Sequence, residues 1–228
     1  MTMRRPPPPL FRTPDAALSV FLVFIVVFIF VLPPLGRVGI LSRLVIDIIF
    51  SLFLISGIAS ISERKVVFGT TAGTVAISLA FHWTASFISL PALQVTDYVA
   101  TIVCVLLFCT TILTHVFKKG PITFHRIQGA VAAYLLLGLA WAYAYQLIAY
   151  ADPGAFSGAV TASIGFSSWT YFSFVTLATL GYGDISPVHP VARSLATSEA
   201  ITGQLYLAIL IARLVSQELF RRQRQSDA

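Results

Sequence analysis

The sequence has few charged residues for its length. Only 11% of its 228 residues are charged, whereas 57% are apolar. A soluble domain carries about 25% charged residues, so this composition excludes a water-soluble core and predicts an all-α integral membrane protein. The net charge of +6 does not indicate a nucleic-acid-binding protein, because the basic residues lie in short clusters between apolar runs.

Cysteine and the usual catalytic motifs are scarce as well. Cys104 and Cys109 are five residues apart inside an apolar run, so on a helix they point in different directions. We therefore expect core-facing or lipid-facing thiols rather than a disulfide or a metal site. The sequence also lacks a nucleophile elbow and a zinc-ligand pair on a helix. We do not expect an enzyme or a resident cofactor.

The apolar runs predict six membrane-spanning helices, each close to the roughly 20 residues that cross the hydrocarbon. They are residues 16–34, 41–61, 66–90, 97–117, 127–150 and 194–215. The shorter apolar stretch 166–179, between the fifth and sixth helices, is typical of a re-entrant helix. This division gives a leader (1–15), a four-helix region (16–117), a pore region (127–215) and a tail (216–228). We expect residues 3–15 and 217–228 to be flexible.

The basic residues predict the orientation in the membrane. Twelve of the 15 Lys and Arg residues lie on the side of both termini if the chain crosses six times. Cytoplasmic loops carry this excess of basic residues. We therefore expect a multi-pass protein of the plasma (inner) membrane, with cytoplasmic termini and residues 151–193 outside.

The stretch TLATLGYGD, residues 176–184, interrupts this apolar sequence with two glycines and an aspartate. Gly181 and Gly183 both weaken a helix and reach positive φ at low cost. Alternating glycine with larger residues lets successive carbonyl groups point to one side. A ring of such carbonyls replaces the water shell of a dehydrated cation.

The segment FSFVTLATLGYGDISP, residues 172–187, resembles the pore loop of tetrameric potassium channels, whose pattern is T-x-x-T-V-G-Y-G-D. Leu180 stands where the pattern has valine, and the resemblance covers about residues 127–216. It implies a K⁺-selective channel in the lipid bilayer. One loop cannot close a ring, so the resemblance also implies a homotetramer. The K⁺ path would be lined by the carbonyls of Thr179, Leu180, Gly181 and Tyr182, with Gly183 and Asp184 at the mouth.

The resemblance assigns supporting roles to the preceding helix. The Tyr182 ring is expected to face away from the ions and to pack against aromatic residues, namely Trp169, Tyr171 and Phe172. Thr176 is the first threonine of the pattern. Val175 stands where some family members have a glutamate that pairs with the filter aspartate, so Asp184 needs another partner or stays solvated.

The last helix contains further candidate residues. An acid inside an apolar helix is costly without a partner, so we expect Glu199 to bond Ser173 or Thr176, or alternatively to meet water or Arg193 at the outer interface. Gly203 is either a gating hinge or a close-packing position. One helical face is expected to line the cavity; it comprises Ala200, Gln204, Leu207 and Ile211.

The first four helices do not resemble a known sensor as firmly. The fourth, DYVATIVCVLLFCTTILTHVF, has no arginine or lysine, which argues against voltage sensing, because gating charges supply its energy. We expect Arg43 to pair with Asp47, four residues away, and His82 to make a polar contact, with proton sensing as an alternative. Other readings of the chain are a non-selective monovalent cation channel, an accessory or sensor subunit, and a potassium transporter.

Overall fold

The computed structural model describes residues 14–37, 43–60, 65–118, 123–158 and 165–226, with side chains for 17–35, 43–60, 65–118, 123–158 and 165–216. Its helices are α1 (Pro14–Val26), continued by a π-helical turn (Val27–Val31) and α2 (Leu32–Arg37), then α3 (Arg43–Ser60), α4 (Lys65–Phe87), α5 (Pro91–Val116), α6 (Phe124–Ala151), α7 (Phe166–Leu177) and α8 (Pro190–Ser226). Two short strands, β1 (Phe156–Gly158) and β2 (Ile185–Pro187), flank α7.

Six segments of the described chain are long and apolar enough to cross a membrane. They are Ala17–Leu35, Arg43–Ser60, Lys65–Phe87, Pro91–Val116, Phe124–Ala151 and Pro190–Ser216. The prediction of an all-α protein with six such helices is therefore confirmed. Helix α7 has 12 residues, which is too short to span the hydrocarbon.

The largest differences from the predicted helix boundaries are at the start of α5 and the end of α8. Helix α5 begins at Pro91 rather than at residue 97, because proline is well suited to the first turn of a helix, where its missing N–H is not needed. Asp97 does not mark a helix end, since it is buried inside the bundle. Helix α8 continues to Ser226, so the part of the predicted flexible tail that the structure describes is helical. Residues 1–13 and 227–228 lie outside the described residues.

Phenylalanine rings form the centre of the N-terminal bundle. Phe53 stacks on Phe21, with ring centroids 5.6 Å apart, and on Phe28 at 5.4 Å. The first helix also reaches α7, because Phe30 lies 5.6 Å from the ring of Phe174. The π-helical turn that carries Phe28 and Phe30 departs from the α-helical repeat, a distortion that often occurs at functional sites. The first helix therefore contacts the helix that precedes the TLGYGD segment.

The strands hold the segment after α7 in place. β1 pairs with β2 in antiparallel register, with Phe156 opposite Pro187 and Gly158 opposite Ile185. Gly158 has φ = 106°, and a Cβ at this position would collide with the carbonyl oxygen of Asp184. The end of the TLGYGD segment is thus fixed against the chain that follows α6.

Candidate functional site

The backbone of the TLGYGD segment, residues 179–184, alternates between two conformations. Thr179, Gly181 and Gly183 have positive φ angles of 57°, 59° and 80°. Thr179 is the one non-glycine residue with positive φ in the described part of the chain. This conformation is strained for threonine, whereas glycine adopts it freely. Left-handed residues at every second position allow successive carbonyl groups to face the same side.

Four successive carbonyl groups of this segment have no hydrogen-bond partner in the part of the chain that the structure describes. Among the described residues, no group donates a hydrogen bond to the carbonyl oxygen of Thr179, Leu180, Gly181 or Tyr182. All four residues are exposed. Backbone groups away from water must be satisfied by some partner. The segment therefore has four successive carbonyl oxygens that are available to a partner outside the described residues.

The inner end of the segment is anchored to α7 and α8. The Thr179 amide donates to the Thr176 carbonyl at 2.9 Å, and the Leu180 amide donates to the Val175 carbonyl at 2.8 Å. From α8, Gln204 Nε2 donates to Thr179 Oγ1 at 3.2 Å. Val175 and Thr176 therefore support the segment through their main chains. The Thr176 hydroxyl donates within α7, to the Phe172 carbonyl at 2.8 Å.

The aromatic residues of α7 divide between two sides of that helix. Tyr182 is 66% exposed and stacks on Tyr171, with ring centroids 6.4 Å apart and planes at 11°. The prediction that it also packs on Trp169 and Phe172 was wrong for the single chain. Those two rings face α6 and β1 instead, where Trp169 lies 4.7 Å from Phe156 and Phe172 lies 4.8 Å from Tyr145.

Asp184 lies near Tyr171, across the mouth of the segment. The pKa of Tyr171 is raised by partial burial, then by a hydrogen bond with Asp184 and by the negative charge of Asp184. Asp184 therefore influences the charge state of Tyr171, while Asp184 itself is exposed.

Glu199 is fully buried between three helices. Its Oε1 lies 2.5 Å from Ser173 Oγ on α7, and its Oε2 accepts a 2.5 Å hydrogen bond from the Tyr145 hydroxyl on α6. Of the two alternatives for Glu199, the geometry agrees with a hydrogen bond to Ser173 on α7, behind the TLGYGD segment. Arg193 does not reach it, since its Nε donates to the Pro187 carbonyl at 3.1 Å.

Ser173 contacts two acceptors at once. Its hydroxyl oxygen lies 2.7 Å from the Gly138 carbonyl as well as 2.5 Å from Glu199. A hydroxyl has one hydrogen to donate, and a carbonyl can only accept. A neutral Glu199 carboxyl group resolves the conflict by donating to Ser173. Tyr145 and Gly138 were not predicted from the sequence, where one tyrosine in an apolar helix gives no indication of its partner.

Gly203 occupies a crowded position on α8. A Cβ at this residue would overlap the carbonyl oxygen of Leu177, the last residue of α7. The structure thus explains this glycine by close packing. Of the predicted cavity face, Gln204, Leu207 and Ile211 are exposed in the single chain and Ala200 is half-buried.

Comparison with known proteins bears on the C-terminal half of the chain. Residues 130–218 match the family model described as "Ion channel". The chain is 38% identical over 80 residues to an inward rectifier potassium channel, Kirbac3.1, of Paramagnetospirillum magnetotacticum, covering 33% of this chain and 24% of the relative. It is 36% identical over 87 residues to two pore potassium channel c of Oryza sativa subsp. japonica, covering 38% of this chain and 18% of the relative.

The chain therefore spans about a quarter or less of either relative's length. No solved structure matches it significantly. These matches, with six apolar helices, support an ion-channel region of potassium-channel type in residues 130–218.

Proposed function

We propose that the chain is a subunit of a potassium-selective channel that conducts K⁺ passively through a pore made by four copies. The observation that carries this proposal is the alternating positive φ of Thr179, Gly181 and Gly183, with intervening carbonyls that have no hydrogen-bond partner among the described residues. The similarity of residues 130–218 to ion channels supports the same conclusion.

The chemistry of the segment suits K⁺. Carbonyl oxygens with no internal hydrogen bond can replace the water shell of a dehydrated cation, and the Thr179 hydroxyl adds a further oxygen. Leu180 contributes its carbonyl just as valine does, so the substitution does not change the ligand set. In this proposal K⁺ is the permeating ion, bound in turn at Thr179, Leu180, Gly181 and Tyr182, and the chain needs no resident cofactor.

The helices around the segment fit the same role. The C-terminal end of α7 at Leu177 adjoins the inner end of the segment, where a helix dipole favours a cation. Glu199 then stabilises the position of α7, behind the segment, through its hydrogen bond with Ser173. Asp184 and Gly183 form the outer mouth.

The proposed tetramer follows from the exposed face of α8. Large apolar side chains on this helix are more than half exposed in the single chain, namely Ile201, Leu205, Ile209 and Ile211. One segment provides only part of a ring, and cyclic symmetry closes it with identical copies. We further propose that both termini face the cytoplasm, as the distribution of basic residues indicates.

Flux through purified protein in liposomes tests this function. With a K⁺ gradient, we expect K⁺ efflux that barium blocks. Gly181→Ala and Gly183→Ala should abolish selective flux, because an added Cβ meets no neighbouring atom at either site but is strained at positive φ, by roughly 1–2 kcal/mol. Gly73→Ala is the matched control, since its Cβ also meets nothing and the residue is helical. Absence of K⁺ flux from wild-type protein, or normal selective flux in both variants, contradicts the proposal.

A further inference from the structure

A histidine lies between two buried acids in the N-terminal bundle. His82 Nε2 on α4 is 3.3 Å from Asp47 Oδ1 on α3, and His82 Nδ1 is 3.3 Å from Asp97 Oδ2 on α5. Both aspartates are buried. The expected pairing of Arg43 with Asp47 was wrong: in the described residues Asp47 contacts His82 and accepts a 3.1 Å hydrogen bond from Ser86 Oγ.

The protonation state of His82 decides whether the two buried carboxylates have a positive charge beside them. A neutral imidazole has one N–H, so its other nitrogen presents a lone pair. Here each ring nitrogen lies 3.3 Å from a carboxylate oxygen; Nδ1 is hydrogen-bonded to Asp97, whereas Nε2 has no hydrogen-bond partner among the described residues. An imidazolium places a positive charge between the two carboxylates and offsets part of their negative charge. No lysine or arginine in the described residues pairs with either carboxylate.

The surroundings of the cluster hold the ring in place and contain few other charges. The Phe50 ring on α3 packs 4.3 Å from the imidazole. The other titratable groups that interact electrostatically with these acids are Tyr98 on α5 and Tyr143 on α6, and Arg43 on α3 interacts with Tyr98. Asp97 Oδ1 is buried without a hydrogen-bond partner. The described residues contain no group arranged to hold a metal ion.

Protons can reach the ring from one end of the bundle. Asp47, His82 and Asp97 lie four to six residues from the nearest ends of their helices, or roughly 6–9 Å at the rise of an α-helix. Chain order puts these ends on the same side as residues 152–189. The His82 side chain is 18% exposed, more than either acid.

We propose that Asp47, His82 and Asp97 form a proton-binding site in which an imidazolium is held between two carboxylates and ties α3, α4 and α5 together. Loss of the proton leaves two acids facing an uncharged ring and weakens this link. Resting on the proposed channel function, we further propose that pH on this side of the membrane modulates K⁺ conduction.

A short chain of contacts connects the cluster to α6. Tyr98 follows Asp97 on α5, and its hydroxyl accepts a 3.2 Å hydrogen bond from Gln146 Nε2 on α6. The residue before Gln146 is Tyr145, which donates to Glu199. A change at Asp97 therefore acts on the helix that supports the TLGYGD segment. Coupling between two such sites typically changes an equilibrium by about fivefold or more.

The proton itself is tested first, without reference to conduction. The chain has four histidines, so replacing the other three (His115→Gln, His125→Gln and His189→Gln) leaves His82 as the one ¹⁵N-histidine signal in the full-length protein. We expect both ring nitrogens to be protonated at low pH and one proton to leave as pH rises. Asp47→Asn or Asp97→Asn should change the pH at which this proton leaves, because each variant removes a carboxylate beside the ring. A ring with a single proton at every pH at which the protein is folded overturns the site.

The coupling is tested by K⁺ flux in liposomes with outside pH varied from about 5 to about 8, the range in which histidine ordinarily changes charge. We expect wild-type flux to change by about fivefold or more, and His82→Gln to remove that dependence. His189→Gln is the control, because His189 is exposed on the same side; it should keep the dependence. Flux that is independent of pH in wild type overturns the coupling. Absence of all flux refutes the channel function, while the ¹⁵N experiment still decides the proton site.

Discussion

Ser173 Oγ on α7 lies 2.5 Å from the fully buried carboxyl group of Glu199 on α8. Tyr145 on α6 donates to the other oxygen of the same group. Three helices thus meet at one acid directly behind the TLGYGD segment. Buried polar networks of this kind stabilise a structure only when every member has a partner.

Replacing Glu199 tests this network. Glu199→Ala leaves the Tyr145 hydroxyl buried without an acceptor, which costs about 1–3 kcal/mol; we expect a lower unfolding temperature in detergent and reduced K⁺ flux. Glu199→Gln should be much milder, because an amide N–H donates to Ser173 and leaves its hydrogen for the Gly138 carbonyl, 2.7 Å away.

Ser198→Ala is the control for that network. Ser198 is exposed, and its hydroxyl bonds only the Ser194 carbonyl of its own helix, so the variant should unfold like wild type. Equal unfolding temperatures for Glu199→Ala and Ser198→Ala would show that the network does not support α7.

Gly203→Ala tests close packing between α7 and α8. In an unhindered helix, alanine is more favourable than glycine by about 1 kcal/mol. At Gly203 the new Cβ would overlap the Leu177 carbonyl oxygen, so we expect a lower unfolding temperature. Gly73→Ala, where the Cβ meets no atom, should leave the temperature unchanged or raise it. If Gly203→Ala alters channel opening without loss of stability, the hinge interpretation is correct instead.

Gln204→Leu tests the contact between α8 and the inner end of the segment. It removes the 3.2 Å hydrogen bond to Thr179 Oγ1, and such a bond contributes about 0.5–1.5 kcal/mol. We expect K⁺ flux in liposomes to fall roughly two- to tenfold. Thr202→Val is the control, since Thr202 bonds only the Ser198 carbonyl of its own helix. A loss of equal size in both variants would remove any special role for Gln204.

The titration of Tyr171 tests its pairing with Asp184. Because the pKa of Tyr171 is raised by partial burial and by Asp184, the neutral phenol is the favoured form. Its stabilising contact is present below about pH 10 and is lost as pH rises through the raised pKa. We expect the ultraviolet difference between wild type and Tyr171→Phe to show phenolate only above about pH 10.

Asp184→Asn should bring that phenolate signal to lower pH, because it removes the negative charge beside the ring. Asp152→Asn removes an exposed acid that accepts from the Gly154 amide and should leave the signal in place. An unchanged signal in Asp184→Asn would mean that the two residues do not interact.

The sequence predicted the six helices because each apolar run is long enough to be recognised without knowledge of its neighbours. The predictions from the sequence were wrong for charged residues whose partners are distant along the chain. The helix predicted over residues 97–117 begins instead at Pro91, and α5 buries Asp97 beside His82. Likewise, Asp47 was assigned to Arg43 by spacing alone, although its partners come from α4.

The positive φ of Gly181 and Gly183 was expected from the sequence because its cause is local. Positive φ favours glycine wherever it occurs, and two of the three left-handed residues are glycines. The supporting contacts were predicted less well, because they depend on the rotation of each helix about its axis, which decides the side chains that face a neighbouring helix. Ser173 was named as one possible partner of Glu199, whereas Tyr145 was missed, and Trp169 and Phe172 were assigned to Tyr182 instead of to Phe156 and Tyr145.

The reversal potential of the purified protein in a planar bilayer, with K⁺ on one side and Na⁺ on the other, tests the central claim most directly. If the free carbonyls of residues 179–182 select K⁺, the current reverses close to the K⁺ equilibrium potential, and Gly181→Ala removes this selectivity. A wild-type current that reverses near zero would contradict the account and favour a non-selective monovalent cation channel.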